Sequence, residues 1–530
     1  FSAPPPTNKD LPVSTTPELF RTEGTLWPAF ERSLRARPDA CALSFGSETI
    51  SRMTYAELHE QVVVVATLLA RHGVGPGDRV ALYLGNHPTY VVTDLAVMRL
   101  GAVKVPLSAM LTVREAGELI SRVDAAAVLT DRADDLAPAV PGTVVLSPAD
   151  LAGAPAPTAP LPDPAVGPDA PAVIYFTGGT TGTPKGIVHS QASVLSNLVA
   201  HLLEASITAD ERLLLTTPLV HAAGLFTQAG LLRGASVHIT ERFAAAEVAD
   251  LISSEEITWT FMVPTMISRL MGVADRLSGA GLRTIQYGAA PISADLLRRA
   301  MEVFGPVMQQ LYAQTECPNF GTVLTKADHV RALEDEDLLR SCGRSTLMCE
   351  VSVRDEAGTP VETGAVGEIC LRSPYLMSGY WQDPDGAAER FTGGWLRTGD
   401  IGYLDASGYL YLVDRRNDMV VTGGLNVYSR EVEMAILEHP AVEEAAVFGV
   451  PDPEWGEKVA AHVVLRRDTA GASGDAGASG LDAHCRRLLA TYKIPKLVEV
   501  VPQLPVTRYG KVDKKAIKAA YWRDHARAVN

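Results

Sequence analysis

An α/β protein built on parallel sheets is what this sequence predicts, and two observations carry the reading. Short β-branched runs alternate along the chain with stretches of helical spacing, which is the pattern of βαβ units. The chain has 530 residues, 47% hydrophobic and 21% charged, a globular balance with room for several units of roughly 150 residues each.

The N-terminal stretch "FSAPPPTNKDLPVSTTPELF" has no basic region ahead of an apolar core, so it does not read as a secretory signal. The most apolar early segment, "VVVVATLLA" from Val62 to Ala70, is about half a membrane span in length, and no membrane partner is expected. Next, "DRVALYLG" (Asp78 to Gly85) reads as a strand, "HPTYVVTDLAVMRLG" as a helix and "AVKVPL" as the following strand. The run "LAGAPAPTAPLPDPAVGPDA" (Leu151 to Ala170) reads as a Pro/Ala-rich linker. Beyond it "AVIYF" is a strand and "GGTTGTPKG" the turn leaving it. Further on, "TAGASGDAGASG" (Thr469 to Gly480) reads as a surface loop inside a small C-terminal unit.

A net charge of −15 repels polyanions, and no dense Lys/Arg run offsets it, so nucleic acid is not expected as a partner. Six cysteines without a C-x-x-C pair argue against a zinc site and a disulfide scaffold, and a soluble, cytoplasmic protein is expected.

The segment Tyr175–Gly186, "YFTGGTTGTPKG", suits neither a helix interior nor a strand interior. Glycines at 178, 179 and 182 let successive backbone N–H groups converge on an anion. Thr177, Thr180 and Thr181 add hydroxyls, and Lys185 adds a cation. It is not a Walker A loop, because Gly186 rather than Ser or Thr follows Lys185. A plain glycine-rich hairpin is the alternative.

"FTGGTTGTPKG" resembles the phosphate-binding signature of the adenylate-forming superfamily, which includes acyl-CoA synthetases, carrier-protein adenylation domains and luciferases; Gly178 stands where serine is usual. The resemblance runs in order along nearly the whole chain, from "MTYAEL" at Met53 through "GAAP" (Gly288 to Pro291), "YAQTE" (Tyr312 to Glu316) and "GWLRTGD" (Gly394 to Asp400). It continues through "DRRNDMVVTGGLNVYSREVE" (Asp414 to Glu433) to "TRYGKVDKK" (Thr507 to Lys515). Several motifs in the right order are far more specific than one. The resemblance implies a large N-terminal domain of layered α/β subdomains, residues 1–416, and a small mobile α+β lid domain, residues 417–530, pivoting at Asn417.

It also implies roles. The glycine-rich loop, Gly178 to Gly182 with Thr177 and Lys185, would hold the ATP phosphates. Gly288, Ala289, Ala290 and Tyr312 would line the adenine site, with Thr315 leading into Glu316, the Mg2+ ligand. Asp400 would accept hydrogen bonds from the ribose hydroxyls, and Arg415 would touch ribose or phosphate. Lys511 would bridge the acid and the α-phosphate, while Lys514 and Lys515 read as solvated helix charges. Gly423 and Gly424 would line a pantetheine tunnel. His221, in "TTPLVHAAGLF", would stand at the mouth of the acyl pocket, with small neighbours leaving room for a sizeable acid. Ala222 and Ala223 replace the Asn–Tyr pair of siderophore-type aryl-acid activators, which disfavours that subclass.

The function so implied is an ATP-dependent, AMP-forming ligase that adenylates an aromatic or medium-chain carboxylic acid and transfers it to CoA, with ATP, Mg2+ and CoA as cofactors. Loading of a carrier protein is an alternative, as is a diazotase activating nitrite for an aryl amine. A non-catalytic nucleotide binder is disfavoured because Lys511, Glu316 and Asp400 occur together.

Overall fold

The βαβ unit expected near residue 80 forms in the computed structural model, which describes residues 22, 24–157, 159–177, 184–277, 281–290, 292, 294–415, 418–422, 425–453, 455–466, 480–507 and 512–522. Strands Arg79–Tyr83 and Val103–Leu107 pair in parallel, and helix Pro88–Leu100 joins them. Proline at the first helical position and Gly101 at φ 66° past the end frame the helix as backbone geometry requires. Every residue from Tyr90 to Leu100 is buried, so this helix has no wet face. It touches strands of two different sheets, as does helix Gln191–Glu204, and the pair form a layer between those sheets.

Among the described residues, one of these sheets has seven strands. Its order is Gly379–Tyr380, Lys185–Ser190, Pro171–Thr177, Val103–Leu107, Arg79–Tyr83, Ala127–Thr130 and Val144–Leu146. The other runs Arg344–Ser345, Cys317–Leu324, Met308–Gln314, Thr284–Tyr287, Trp259–Met262, Arg212–Leu215, Ser236–Ile239, Cys41–Phe45 and Ser51–Thr54. By its contacts the chain divides into two compact units, Phe1–Ser352 with Cys370–Thr398 and Val353–Ile369 with Gly399–Asn530. The break expected after Arg416 falls outside the described residues, and Asp400 and Arg415 belong with the smaller unit. That unit carries a sheet ordered Leu425–Val427, Val420–Thr422, Gly456–Leu465, Val442–Asp452, with Leu497–Val500 beside Gly456–Leu465. Val427, Val432, Ile436, Val447, Val459 and Val463 are among the residues of its core.

Two expectations are corrected. The Pro/Ala-rich run is no linker between bodies, because it lies inside the first unit and is docked there. Arg99 donates to the carbonyls of Leu161 and Pro162, and the backbone at Gly101 packs against Pro164 and Val166. Nor is Lys514 a solvated charge. Its Nζ lies 2.6 Å from Glu433 Oε1 and 2.8 Å from Ser429 Oγ, with 17% of the side chain exposed. The reason is the packing of helix Lys514–Trp522 on strand Val442–Asp452, which turns its first residue inward. The insert 469–480 lies outside the described residues except for Gly480.

Three buried histidines make stability depend on pH. Burial holds His189, His201 and His329 neutral, lowering each from an ordinary 6.5 to about 4. Unfolded, each ring would take up its proton near 6.5. Between pH 6.5 and 4 the unfolded chain therefore binds more protons, and the stability present above pH 6.5 is lost as pH falls through that window. Thermal melting followed by circular dichroism from pH 7.5 to 4 should show the midpoint falling with that sign. His201→Gln, which cannot titrate, should start lower and fall less steeply.

Candidate active site

The glycine-rich segment closes a hairpin. Strand Pro171–Thr177 runs out, strand Lys185–Ser190 runs back antiparallel, and Thr177 pairs with Lys185 at the foot of the loop. Gly178, Gly179, Thr180, Thr181 and Gly182 lie outside the described residues. Gly186 is required by close packing, since a Cβ there would sit 3.0 Å from Ile174 Cγ2 and 3.1 Å from Trp381 Cβ. Lys185 Nζ stands 4.7 Å from the centroid of the Tyr380 ring and 3.1 Å from Asp383 Oδ2. The Gly386 N–H, with Lys185 second, holds the Asp383 carboxyl below the usual carboxylate range.

Glu316 arrives from another sheet, on the turn between antiparallel strands Met308–Gln314 and Cys317–Leu324. The Tyr380 hydroxyl donates to Glu316 Oε1 at 3.2 Å, and Arg390 Nη2 lies 3.6 Å from the same oxygen. Burial, then the Glu316 charge, pushes the Tyr380 hydroxyl well up, so it stays a donor. His189 fixes the preceding residue. Its ring, kept neutral by burial, bonds through Nε2 to the Thr315 carbonyl at 2.8 Å. One short run of chain ties these parts together. Met377 N–H donates to the Glu316 carbonyl, Ser378 N–H to Val188 and Trp381 N–H to Gly186, at 2.8, 2.8 and 2.7 Å.

Among the described residues no three His, Cys, Asp or Glu side chains gather as a metal cage. Glu316 has both its Tyr380 and Arg390 contacts on Oε1, and a single hard carboxylate of this kind suits Mg2+, which takes its other ligands from phosphate oxygens and water.

The residues expected at the adenine site stand where parallel strands end. Strand Thr284–Tyr287 pairs in parallel with Met308–Gln314, and Gly288 leaves its tip. A Cβ on Gly288 would meet Leu311 Cδ1 at 2.7 Å and Leu311 O at 2.8 Å, so glycine lets the turn lie against the residue before Tyr312. Ala289 takes φ 66°, a left-handed conformation that Ala rarely adopts and the kind of local strain found at binding sites. Tyr287 is anchored behind it, its hydroxyl 2.8 Å from His329 Nε2.

His221 is exposed and stands at the N-terminus of helix Ala222–Arg233. The loop before it is sewn down by buried Asn86, which donates to the carbonyls of Thr217 and Thr240 and accepts from Leu219 N–H. Gly224 allows the helix to begin against the Leu219 carbonyl. In the smaller unit Asp400 is buried, 3% exposed, and its cross-strand partner is Arg415. Asn417, Gly423, Gly424 and Lys511 lie outside the described residues.

The structure thus brings Lys185 and Glu316 to one tyrosine, Gly288 to the Tyr312 strand, and Asp400 beside Arg415. Tyr380, Asp383, Arg390, His189 and Asn86 were not picked out from the sequence. The "SGYWQDPDG" run, with its glycine, aromatics and Asp-Pro, is the one signal that points to the first two.

A family model described as AMP-binding enzyme matches residues 30–381, and one described as AMP-binding enzyme C-terminal domain matches residues 431–511. The chain is 41% identical to a medium/long-chain-fatty-acid–CoA ligase, FadD8, of Mycobacterium tuberculosis, over 68% of this chain and 63% of that one. The chain thus matches under two thirds of that relative's length. It is 37% identical to a feruloyl-CoA synthase of an Amycolatopsis species, over 93% of this chain and 98% of the relative. Among solved structures it resembles the amide bond synthetase McbA of Marinactinospora thermotolerans, with TM-score 0.84 and 34% identity, covering 94% of this chain and 99% of that one.

Tyr380→Phe removes the hydroxyl from Glu316 and keeps the ring beside Lys185. A hydrogen bond to a charged group is worth about 1.5–3 kcal/mol, so pyrophosphate release should slow about tenfold. Tyr380→Leu removes the ring as well and should also weaken ATP binding in titration calorimetry, an effect that Tyr380→Phe lacks.

Proposed function

The chain belongs to the AMP-binding enzyme family, and from that membership we propose that it activates a carboxylic acid with ATP and passes the acyl group to the thiol of coenzyme A. The observation that carries the reading is the convergence of Lys185 and Glu316 on Tyr380 beside the glycine-rich hairpin. A carboxylate and ATP are both anions, so a catalyst must first screen their repulsion. Lys185 supplies a fixed cation at the foot of the loop. Glu316 would hold Mg2+, whose charge neutralises phosphate oxygens when bound. The turn at Gly288–Ala290 and Tyr312 would receive adenine, and Asp400 with Arg415 the ribose.

The carboxylate oxygen then attacks the α-phosphorus, the bond to the bridging oxygen breaks, and pyrophosphate leaves. Lys511 is assigned the bridging role between acid and α-phosphate, and Asn417 the pivot of a mobile lid. In the second step the thiol sulfur attacks the acyl carbon and AMP leaves, with Gly423 and Gly424 lining the approach. The acid itself is aromatic or medium-chain, and His221 stands at the mouth of its pocket. The likeness to a feruloyl-CoA synthase over nearly its whole length supports the aromatic choice. All six cysteines are free thiols, with which a cytoplasmic site of action accords. A second reading keeps the first step and replaces the thiol by an amine, and the likeness to the amide bond synthetase favours it.

The test is AMP and pyrophosphate release with ATP, Mg2+ and a panel of aryl, cinnamic and fatty acids, each with CoA, with an amine, or with neither. Thioester formed only with CoA supports the first reading, and amide formed with thiol absent the second. No AMP with any acid would overturn both. Lys511→Ala should lower the adenylation rate about 100-fold or more, the scale on which one preorganised charge contact acts. Glu316→Gln should raise the Mg2+ concentration needed for half-maximal rate.

A further inference from the structure

We propose that Lys514 is a positioning residue that anchors the loop carrying Lys511. The inference rests on the reading of Lys511 as the adenylation cation. The loop's two stems are described, although its tip is not. Val506 and Val512 form an antiparallel bridge, and Asp513 N–H donates to the Pro505 carbonyl at 2.8 Å, so the five residues 507–511 are closed at the base. Immediately after that base comes helix Lys514–Trp522, capped by Asp513 Oδ1 accepting from Ala516 N–H at 2.9 Å.

Lys514 is therefore the first residue of a helix, the end at which the backbone dipole disfavours a cation. Its place is explained by what it reaches. Nζ sits 2.6 Å from Glu433 Oε1 and donates to Ser429 Oγ at 2.8 Å. Glu433 Oε1 also accepts from Val447 N–H at 2.8 Å, which fixes the carboxylate to strand Val442–Asp452 at the end of the sheet order. Ser429 Oγ donates in turn to Asp414 Oδ1 at 3.1 Å, and Ser429 N–H bonds to Asp414 Oδ2. Lys514 thus pairs with Glu433 directly and reaches Asp414 through Ser429, in a site where Asp414 is 3% exposed and the Glu433 side chain 15%.

This network ties four elements of the smaller unit together: the end of strand Leu410–Arg415, helix Ser429–Leu437, strand Val442–Asp452 and the start of helix Lys514–Trp522. Lys511 is three residues upstream of Lys514, a reach of about 10 Å in extended chain. A shift at Lys514 is passed directly to the Val512–Asp513 stem, whose first residue follows Lys511 in the sequence. Ile517, on the same helix, packs with Phe448, Val450 and Leu504, so the helix keeps an apolar hold when the ion pair is removed.

The experiment compares Lys514→Met, Lys514→Arg and Glu433→Gln with Lys511→Ala and the unaltered protein. Adenylation is read by pyrophosphate exchange, thioester formation by supplying purified acyl-adenylate with CoA, and folding by thermal melting. Lys514→Met should lower the adenylation kcat about tenfold with the ATP KM unchanged and thioester formation within twofold, and Lys514→Arg should restore most of the rate. If Lys514→Met does not accumulate as folded protein, Glu433→Gln reads the same split. The proposal is overturned if the folded variant keeps its adenylation rate within twofold, or if both half-reactions fall equally. Full adenylation by Lys511→Ala would instead overturn the role of Lys511 itself, whatever Lys514 does.

Discussion

The short run Met377–Asp383 has to bond with two separate parts of the chain at once, and the rest of the candidate site follows from that requirement. On one side it pairs with the strand returning from the glycine-rich hairpin, Gly379 against Val188 and Tyr380 against Ile187. On the other its Met377 N–H meets the Glu316 carbonyl. Backbone bonds of this kind tolerate little slip, because a shift of one residue would turn Tyr380 to the opposite face. Gly186 makes the approach possible by leaving room for Trp381. Tyr380 then has an apolar face for the lysine and a polar tip for the carboxylate, a division of labour that a phenol ring suits.

A chain with net charge −15 can draw in a polyphosphate only through cations held in place. The two contacts around Tyr380 differ in how easily they yield. Lys185 and Asp383 are 36% and 41% exposed, so their ion pair is worth little and Lys185 can give up Asp383 at small cost. Glu316 is 14% exposed and bonded through both side chain and backbone, so it is held where it is needed. One group can be handed over while the other stays fixed.

What was legible in the sequence were the local features. The alternation of strand and helix from Asp78 to Leu107 and the strand before the glycine-rich turn are each set by neighbouring residues, and each forms as expected. Even the plain hairpin alternative proved to be the geometry that frames the loop, since a phosphate cradle and a hairpin are not exclusive. What escaped were contacts made across long sequence separations. Tyr380 and Glu316 are 64 positions apart, and nothing in either motif names the other. Lys514 misled for the same reason. The lysines of "GKVDKK" look alike as letters, and only the packing of helix Lys514–Trp522 turns Lys514 inward.

The buried ion pair between Lys104 and Asp94 argues for position rather than strength. Lys104 and Asp94 side chains are each 6% exposed and 2.9 Å apart, and Gln228 Nε2 donates to the same Asp94 oxygen at 2.7 Å. Burying such a pair costs desolvation comparable to the attraction it gains, so net stability does not explain it. Its placement does. Lys104 lies on the strand beside Pro171–Thr177, in register with Val173, while Asp94 and Gln228 come from two helices. A register slip of that strand would strand the lysine from its acid in an apolar layer, a cost of several kcal/mol by the usual penalty for an unpaired buried charge. The pair therefore specifies the alignment of the strand beside the one that leads into the glycine-rich loop. Lys514 and Glu433 make a comparable, half-buried pair at the start of helix Lys514–Trp522, where the lysine is likewise placed by the acid it reaches.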